Sequence, residues 1–345
     1  MATKTGKSSE KKSSIFEVAE LSGVSIATVS RVLGGKAYVN PELVLRVKKA
    51  AAELGYRPNR SASSLRMRVS KTIGVIISDI ENPFFTSVIR GIEKILYDAE
   101  YSLLFCNSNE DPERERSHLS ILRSEDVAGI ILTPTNQNSA FCRDLVNSGT
   151  QLVAIDRIPE MELMDVVTTN NRKSAFDAAS HLVELGYQRI GLIAGPKQPS
   201  TSRERFEGFR DAVLTNNLPL DPDLIVYSDF RQAGGYQAMK TLLDLKNPPE
   251  AVMISNNLMT LGGLQAIHER NLHIPDQIAL VGFDDMPWAT SLQPPLTAVA
   301  QPAFDMGTTA AELLLDRLTD PTRSYRKVEL DTKLMVRTSS GAKSA

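Results

Sequence analysis

The sequence has few of the residues that stabilise secreted proteins or anchor membrane proteins. Its 345 residues include only two cysteines, Cys106 and Cys142, which cannot form the disulfide framework of a secreted domain. No apolar run approaches the roughly 20 residues that a membrane helix needs. The first residues contain no apolar stretch of the kind found in signal peptides. We therefore expect a protein of the reducing cytoplasm with no membrane partner.

The sequence also lacks the short motifs that accompany common catalytic sites. It has no GxxxxGK[ST] phosphate loop, no HExxH zinc motif and no GxSxG nucleophile turn. Its four histidines are scattered without metal-ligand spacing, and the dispersed methionines and single tryptophan indicate ordinary packing. We therefore predict no enzyme activity, no cofactor and no metal site.

Charge is divided unevenly along the chain. Residues 1–70 contain 13 Lys and Arg against five Glu, a formal charge of +8, whereas the remaining 275 residues contain 26 basic and 36 acidic residues, a charge of −10. A basic segment of this kind usually faces phosphate groups, and an acidic body discourages non-specific adhesion to nucleic acid. We expect residues 1–14, which contain four Lys and few apolar side chains, to form a disordered basic tail.

Three short helices are predicted in the basic part. Capping residues precede amphipathic stretches at 15–21, 26–33 and 41–54, and the apolar side of the first includes Leu21. Two helices joined by a tight turn form a helix-turn-helix, whose second helix enters the major groove of DNA. On that helix Arg31 can donate two hydrogen bonds to a guanine edge. A solvated three-helix module fits the same spacing, so helix pattern and charge alone leave both interpretations open.

The residues of this region resemble the DNA-binding signature of the LacI/GalR family of bacterial transcription regulators. Residues 15–33 read IFEVAELSGVSIATVSRVL, and AAAELGYRPN at 50–59 continues the match into the segment after the third helix. The resemblance implies a helix-turn-helix domain over 15–58, followed by a hinge helix and linker over 59–70. It also implies that the protein binds operator DNA.

The predicted DNA contacts divide by their chemistry. The hydroxyl side chains that suit phosphate contacts are Ser25, Thr28 and Ser30. By the resemblance, the residues that read base edges are Ile26, Ala27 and Arg31. Leu65 matches the leucine that the family inserts into the minor groove at the operator centre, and Asn59 can cap a hinge helix that folds on DNA. The chain departs from the family pattern at Gly34, where Asn is usual, and at Ser63, where Arg is usual.

Beyond residue 71, short β-rich apolar runs alternate with amphipathic helical stretches. This alternation is typical of a doubly wound α/β fold in which helices cover both faces of a parallel sheet. The predicted strands lie at 72–78, 103–107, 129–132, 152–155, 190–194, 225–227, 251–255, 278–283, 298–301 and near Val328. So many strands exceed what one open sheet of this kind usually holds, so we expect two lobes.

The resemblance continues to about residue 338 and implies the two-lobed fold of periplasmic sugar-binding proteins. The implied effector-binding and dimerisation domain covers 71–338 and crosses between its lobes three times. Its first lobe comprises about 71–169 and 299–327, and its second about 170–298 and 328–338. The end of the sequence has no leucine heptads of the kind that form a tetramer, so we expect a homodimer.

Polar and aromatic side chains follow the predicted strands, where parallel sheets bind ligands. Taken singly, an Asp or Asn there more often caps the next helix, and an Arg more often forms a surface ion pair. By the resemblance, eight of these residues form the effector pocket: Phe84, Phe85, Asp156, Arg157, Arg205, Phe230, Asn257 and Asp284. Asn257 stands where many family members have Asp, which makes the pocket less hostile to an acidic ligand.

These observations predict a repressor of carbohydrate-metabolism genes. Two copies bind a near-palindromic operator, and a sugar, sugar acid or sugar phosphate between the lobes controls binding as inducer or co-repressor. A purine effector or a protein co-regulator acting on the same fold stays open. A solute-binding protein would share the lobes but requires export and has no use for a basic head. A sugar-modifying enzyme is disfavoured because the adjacent Asp284 and Asp285 point in opposite directions.

Overall fold

The computed structural model describes residues 14–34, 39–56 and 70–341. The chain divides into two compact units, one ending at Ser70 and the other beginning at Lys71. Most of the predicted basic tail and of the predicted hinge, including Asn59 and Leu65, lies outside the described residues.

The first unit contains three helices whose ends follow from the sequence. They are α1 (Ile15–Ser22), α2 (Ile26–Gly34) and α3 (Pro41–Glu53). At the start of α1 the Ser14 amide donates to the Glu17 carboxylate (2.6 Å), and the Glu17 amide donates to the Ser14 hydroxyl (3.4 Å). This reciprocal capping box satisfies two amides that the helix leaves without partners. α1 ends at Gly23, whose φ of 63° is a left-handed conformation that glycine adopts without strain.

Small and branched side chains from all three helices form the core of this unit. Its fully or nearly buried members include Val18, Val29, Val47 and Ala50. Arg46 on α3 donates through Nη2 to the Ser22 carbonyl oxygen (2.6 Å), where the end of α1 carries partial negative charge. Leu21 is 49% exposed, so the prediction that it belongs to the apolar stripe is wrong; the core side of α1 runs through Val18 and Ala19.

The second unit contains two six-stranded sheets. The first, in spatial order, comprises β11 (Lys327–Leu330), β5 (Asp165–Thr169), β4 (Gln151–Ile155), β3 (Gly129–Leu132), β1 (Thr72–Ile77) and β2 (Ser102–Asn107). The second comprises β12 (Lys333–Met335), β10 (Thr297–Ala300), β9 (Ala279–Phe283), β8 (Ala251–Ile254), β6 (Ile190–Ala194) and β7 (Ile225–Tyr227). All neighbouring strands run parallel except β10 and β12.

Helices cover both faces of each sheet. The first lobe contains α4 (Pro83–Asp98), α5 (Pro112–Ser124), α6 (Ser139–Asn147) and α11 (Ala303–Thr319). The second contains α7 (Asn171–Glu184), α8 (Ser200–Thr215), α9 (Gln232–Leu243) and α10 (Asn257–Glu269). Each sheet therefore has an apolar core on either side. No helix in the described part of the chain is long and apolar enough to span a bilayer.

The chain passes between the lobes three times, after β5, β10 and β11. Two predicted lobe boundaries are wrong by a few residues. The boundary at 298/299 falls inside β10, which pairs with β9 and so lies wholly in the second lobe. The boundary at 327/328 falls inside β11, which pairs with β5 in the first lobe. Sequence analysis also missed β5 and β12 as strands. β5 follows a loop and β12 follows the third crossing, and the sequence leading into each has little apolar patterning.

A buried carboxylate fastens the segment that leads into β11. Asp165 is fully buried and accepts hydrogen bonds from Arg317 Nε (2.8 Å), Arg323 Nη2 (2.7 Å) and the Arg326 amide (2.7 Å). Burial alone would raise the pKa of Asp165, but these donors hold it below its usual value. The ion pair with Arg317, which is 1% exposed, thereby joins α11 to β5.

We expect Asp165→Asn to lower the free energy of unfolding by about 3–5 kcal/mol, because it leaves buried guanidinium charge without its counter-ion. Asp316→Asn is the matched control: its pair with Arg326 is exposed on both sides and contributes at most about 1 kcal/mol. Urea unfolding at pH 7 measures both. Since the native pKa of Asp165 is depressed, its contribution is present above pH 4 and should fade on further acidification. Equal losses in the two variants would contradict this account.

Candidate functional site

The predicted DNA-contacting residues that the structure describes lie on or next to α2. The Ser25 hydroxyl accepts a hydrogen bond from the Thr28 amide (3.2 Å) and so caps the helix, and it lies 2.9 Å from the Thr28 hydroxyl. Ile26 packs partly against the core. The exposed side chains on α2 include Ala27, Ser30 and Arg31. Within the described residues, the Arg31 guanidinium forms no hydrogen bond or ion pair.

The strand ends of both lobes surround a small cavity, of about 30 Å³. Seven of the eight predicted effector residues line it, and all seven are at least nine-tenths buried: Phe84, Phe85, Asp156, Arg157, Arg205, Phe230 and Asp284. Six further residues that the predicted pocket did not include also line it: Asp79, Asn82, Glu110, Thr201, Asn256 and Gln301. Most of these also follow strands, where parallel sheets bind ligands.

The first turn of α4 supplies an aromatic wall. Pro83 occupies the first helical position, and the Asn82 side-chain oxygen accepts the Phe84 amide (2.9 Å), which fixes the start of the helix. The rings of Phe84 and Phe85 contact edge to face, with centroids 5.0 Å apart. Two adjacent aromatic side chains are thereby held at one side of the cavity.

Four cavity residues have a left-handed backbone. The φ angles of Glu110, Asp156, Phe230 and Asp284 are 60°, 71°, 67° and 68°. Such a conformation costs a residue with a Cβ about 1–2 kcal/mol. Glu110 and Phe230 stand three residues beyond β2 and β7, and Asp156 and Asp284 stand one residue beyond β4 and β9. The two lobes therefore place strained turns at equivalent positions around the cavity, as is common at functional sites.

Arg157 is committed to a protein carboxylate. Its Nη1 and Nη2 donate to the two carboxylate oxygens of Glu110 at 2.8 and 2.5 Å, a bidentate pair. Burial alone would raise the pKa of Glu110, but the charge and hydrogen bonds of Arg157 hold it below its usual value. The guanidinium carbon also lies 5.8 Å from the centre of the Phe230 ring, within cation–π range. Arg157 is 3% exposed, so this pair fixes the wall rather than reaching into solvent.

Arg205 is also held by the protein. Its Nε donates to the Asn171 side-chain oxygen (2.8 Å), its Nη1 donates to the Ser255 carbonyl oxygen (2.6 Å), and its guanidinium stacks 3.9 Å from the centre of the Phe283 ring. Burial lowers the pKa of Arg205. These contacts join α8 to the start of α7 and to the end of β8.

Burial governs the pKa of the two carboxyl groups that directly follow β4 and β9. It raises the pKa of Asp156 to about 6, although Arg157 and Arg205 act in the other direction. It also raises the pKa of Asp284, whose Oδ1 accepts the Gln301 side-chain amide (2.6 Å). Asp156 therefore changes charge close to physiological pH, a property that is frequent in binding sites.

Asn257, the eighth predicted effector residue, does not line the cavity. It is 1% exposed, and its Nδ2 donates to the side-chain oxygen of Asn82 (2.9 Å) in the other lobe. Further hydrogen bonds also join the lobes. The Ile158 amide donates to the Ser200 hydroxyl (2.8 Å), and Arg231 Nη2 donates to the Asn109 side chain (3.1 Å). Asn257 is thus placed as a link between lobes.

The described residues contain no group of three or more His, Cys, Asp or Glu side chains arranged to hold a metal ion. The arrangement instead consists of hydrogen-bonding groups and aromatic rings around a small cavity, and an exposed helix face on a separate unit. The first suits recognition of a small polar molecule, and the second suits insertion into a DNA groove.

Comparison with protein families and curated proteins agrees with both parts. The family described as bacterial regulatory proteins, lacI family, matches residues 14–59, and the periplasmic binding protein-like domain matches residues 179–340. The chain is 34% identical over 325 residues to the ribose operon repressor of Escherichia coli (strain K12), covering 93% of this chain and 98% of that protein. It is 31% identical to the HTH-type transcriptional repressor PurR of Haemophilus influenzae (strain PittEE), covering 94% and 98%.

Solved structures agree over nearly the whole chain. The Lac repressor dimer bound to operator and the anti-inducer ONPF is similar with a TM-score of 0.83 and 26% identity, covering 96% of this chain and 99% of that one. The complex of the transcriptional regulator CelR with cellobiose is similar with a TM-score of 0.73 and 31% identity, covering 95% and 100%. The predicted fold class and the predicted resemblance are thereby confirmed. The chain belongs to the lacI family of bacterial regulatory proteins and is a DNA-binding transcriptional repressor, not an enzyme.

Proposed function

We propose that this repressor controls carbohydrate-metabolism genes and that its cavity binds a neutral sugar. The observation that carries the proposal is the charge of the wall. Four carboxyl groups line the cavity, from Asp79, Glu110, Asp156 and Asp284, against two guanidinium groups that are engaged by protein atoms. A sugar acid or sugar phosphate would bring more negative charge to a wall that already has an excess of carboxyl groups.

The other lining groups also suit a neutral sugar. Sugar hydroxyl groups donate hydrogen bonds to carboxylate oxygens and accept them from amides such as those of Asn256 and Gln301. The C–H face of a sugar ring packs against aromatic rings, which Phe84, Phe85 and Phe230 provide. The names of two similar proteins, a ribose operon repressor and a CelR–cellobiose complex, support a sugar. Similarity to PurR keeps a purine as the alternative, since aromatic rings also hold planar bases.

The proposed action on DNA follows from symmetry. Two copies form a homodimer whose α2 helices enter successive major grooves of a near-palindromic operator. The similar Lac repressor structure, a dimer bound to operator, supports this arrangement. The proposed contacts are Ser25, Ile26, Ala27, Thr28, Ser30, Arg31, Asn59 and Leu65, of which the last two lie outside the described residues. The protein acts in the bacterial cytoplasm, on the nucleoid when bound to DNA.

The effector controls DNA binding through its differential affinity for two lobe arrangements. In the proposed site Phe84, Phe85, Asp156, Arg157, Arg205, Phe230 and Asp284 form the wall, and Asn257 links the lobes behind it. A sugar that bridges wall residues of both lobes favours the arrangement in which those residues are closest. Whether that arrangement binds or releases the operator decides between co-repressor and inducer.

A thermal-shift screen tests the ligand class. We expect D-ribose or another neutral sugar to raise the melting temperature, because a ligand at 100 times its Kd adds about 2.7 kcal/mol to the stability of the native state. Ribose 5-phosphate, ribonate and hypoxanthine serve as the acidic and purine arms. Stabilisation by the acidic sugars alone would overturn the neutral-sugar proposal, and stabilisation by hypoxanthine alone would favour a purine effector. Operator binding is then measured with and without the hit.

The pH dependence of sugar binding tests the role of Asp156. With a pKa of about 6, this group is ionised at pH 7.5 and accepts hydrogen bonds from sugar hydroxyl groups, whereas at pH 5 it is mostly protonated. We expect affinity for a neutral sugar to fall about tenfold from pH 7.5 to pH 5, as proton linkage requires when only the ionised form binds. Calorimetric titration of Asp156→Asn should show a flat profile. The same slope in that variant would assign the titration to another group.

Arg31→Ala tests the DNA-reading face. We expect the preference for the operator over non-specific DNA to fall about tenfold or more, because a bidentate contact to guanine contributes about 1–3 kcal/mol of discrimination. Lys48→Ala on α3, also exposed, is the control and should weaken binding to both DNAs alike, as loss of a phosphate contact does. Fluorescence anisotropy on an operator selected from a random library measures both. An unchanged preference in Arg31→Ala removes Arg31 from the reading set.

A further inference from the structure

Gly195 leaves space that the ring of Phe230 fills. It directly follows β6, and a Cβ atom built on it would lie 2.1 Å from Phe230 Cε1, 2.3 Å from Cζ and 2.8 Å from Cδ1. Ordinary contacts between such carbon atoms are about 3.5–4.0 Å. The φ angle of Gly195 lies outside the left-handed region, so the backbone would accept an L side chain. The glycine is therefore required by the ring and not by the turn.

The backbone of Phe230 has little freedom to shift away from residue 195. Its backbone is held in the left-handed region, and its carbonyl oxygen accepts a buried hydrogen bond from the Asn256 side chain (2.8 Å). The Arg157 guanidinium, itself fixed by Glu110, stands 5.8 Å from the ring centre. A side chain at residue 195 must therefore turn the ring about its own bonds. Because Phe230 lines the cavity, such a turn changes the shape of the space that a ligand occupies.

We propose that Gly195 is a positioning residue that sets the Phe230 ring in the cavity wall and thereby determines which neutral sugar the repressor accepts. This inference rests on the proposed function of the cavity. An aromatic ring offers a flat apolar surface that matches the C–H face of one sugar epimer and meets a hydroxyl group of another. Removal of the clash requires the ring to move by about 1 Å or more, and the ring then no longer offers that surface at the same place.

The test is a double-variant cycle on sugar affinity. Calorimetry measures the Kd of D-ribose and of its C3 epimer D-xylose for wild type, Gly195→Ala, Phe230→Ala and the double variant. In Gly195→Ala we expect the Kd of the preferred sugar to rise at least tenfold and the ratio of the two Kd values to change at least fivefold. In the Phe230→Ala background the same glycine change should alter neither Kd more than twofold, since the clash is gone.

Gly191→Ala is the matched control. Gly191 lies in β6, the strand that Gly195 follows, and its added Cβ would meet Leu242 and Pro249 side-chain atoms at 3.3 Å. A small adjustment therefore suffices, and none of the cavity residues is touched. We expect its sugar affinities to equal those of wild type. A purely structural role for Gly195 would lower the melting temperature and leave the ratio of the two Kd values unchanged, and that result overturns the proposal.

Two further outcomes are also decisive. If Gly195→Ala fails to fold, recovery of folding and of the Phe230→Ala affinities in the double variant supports the proposal, because only the ring then conflicts with the new methyl group. Failure of the double variant to fold overturns it. If the wild-type protein binds neither these two sugars nor any other neutral sugar, the proposed function fails instead. If wild type binds a sugar and Gly195→Ala binds it equally well, only the role of Gly195 is rejected.

Discussion

The bidentate pair between Arg157 and Glu110 determines the electrostatic character of the cleft. A buried guanidinium without a counter-ion costs several kcal/mol, so its donors must be matched within the protein before a ligand arrives. Glu110 supplies a counter-ion with two acceptors for Arg157, whereas Arg205 is held by neutral oxygens of Asn171 and Ser255, with the charges of Asp284 and Asp156 nearby. What is left for a ligand is an excess of carboxyl oxygens beside aromatic rings, together with Arg157 Nε, a buried donor without a hydrogen-bond partner among the described residues. Under the proposed function, such a surface favours molecules with many hydroxyl groups and no negative charge.

The same hydrogen-bond network reaches the segments that join the lobes. Gln301, the first residue after β10, donates to Asp284 (2.6 Å) and accepts from the hydroxyl of Thr169 (2.7 Å), the last residue of β5. Two of the three crossings therefore meet at one amide, and that amide also touches the cavity. A ligand that competes for Asp284 changes the bonding of Gln301 where the chain bends between lobes. The affinity of the site for a ligand can therefore differ between two lobe arrangements, because the two arrangements differ in the hydrogen bonds of Gln301.

Sequence reasoning succeeded where a local rule and the resemblance acted together. Strands such as Ile190–Ala194 are uniform apolar runs, and seven of the eight effector residues that the resemblance placed beyond such strands line the cavity. It failed where the deciding contact is distant along the chain. Asp165 begins a strand whose stability depends on Arg317, 152 residues away, so β5 has no strong local pattern. Glu110 was missed because its role depends on Arg157, and the space at Gly195 depends on Phe230.

Asn257 shows how such distant contacts change a functional inference. The sequence alone suggests that an amide in place of the family's Asp makes the pocket more tolerant of an acidic ligand. In the structure the Asn82 side-chain oxygen accepts a hydrogen bond from the Phe84 amide and thereby caps the helix. The group that faces this oxygen from the other lobe must also be a donor, and the Asn257 amide is one. A carboxylate there would place two acceptors face to face. The amide therefore joins the lobes directly and adds nothing to the recognition of an acidic group, so the ligand's charge must be judged from the carboxyl groups that line the cavity.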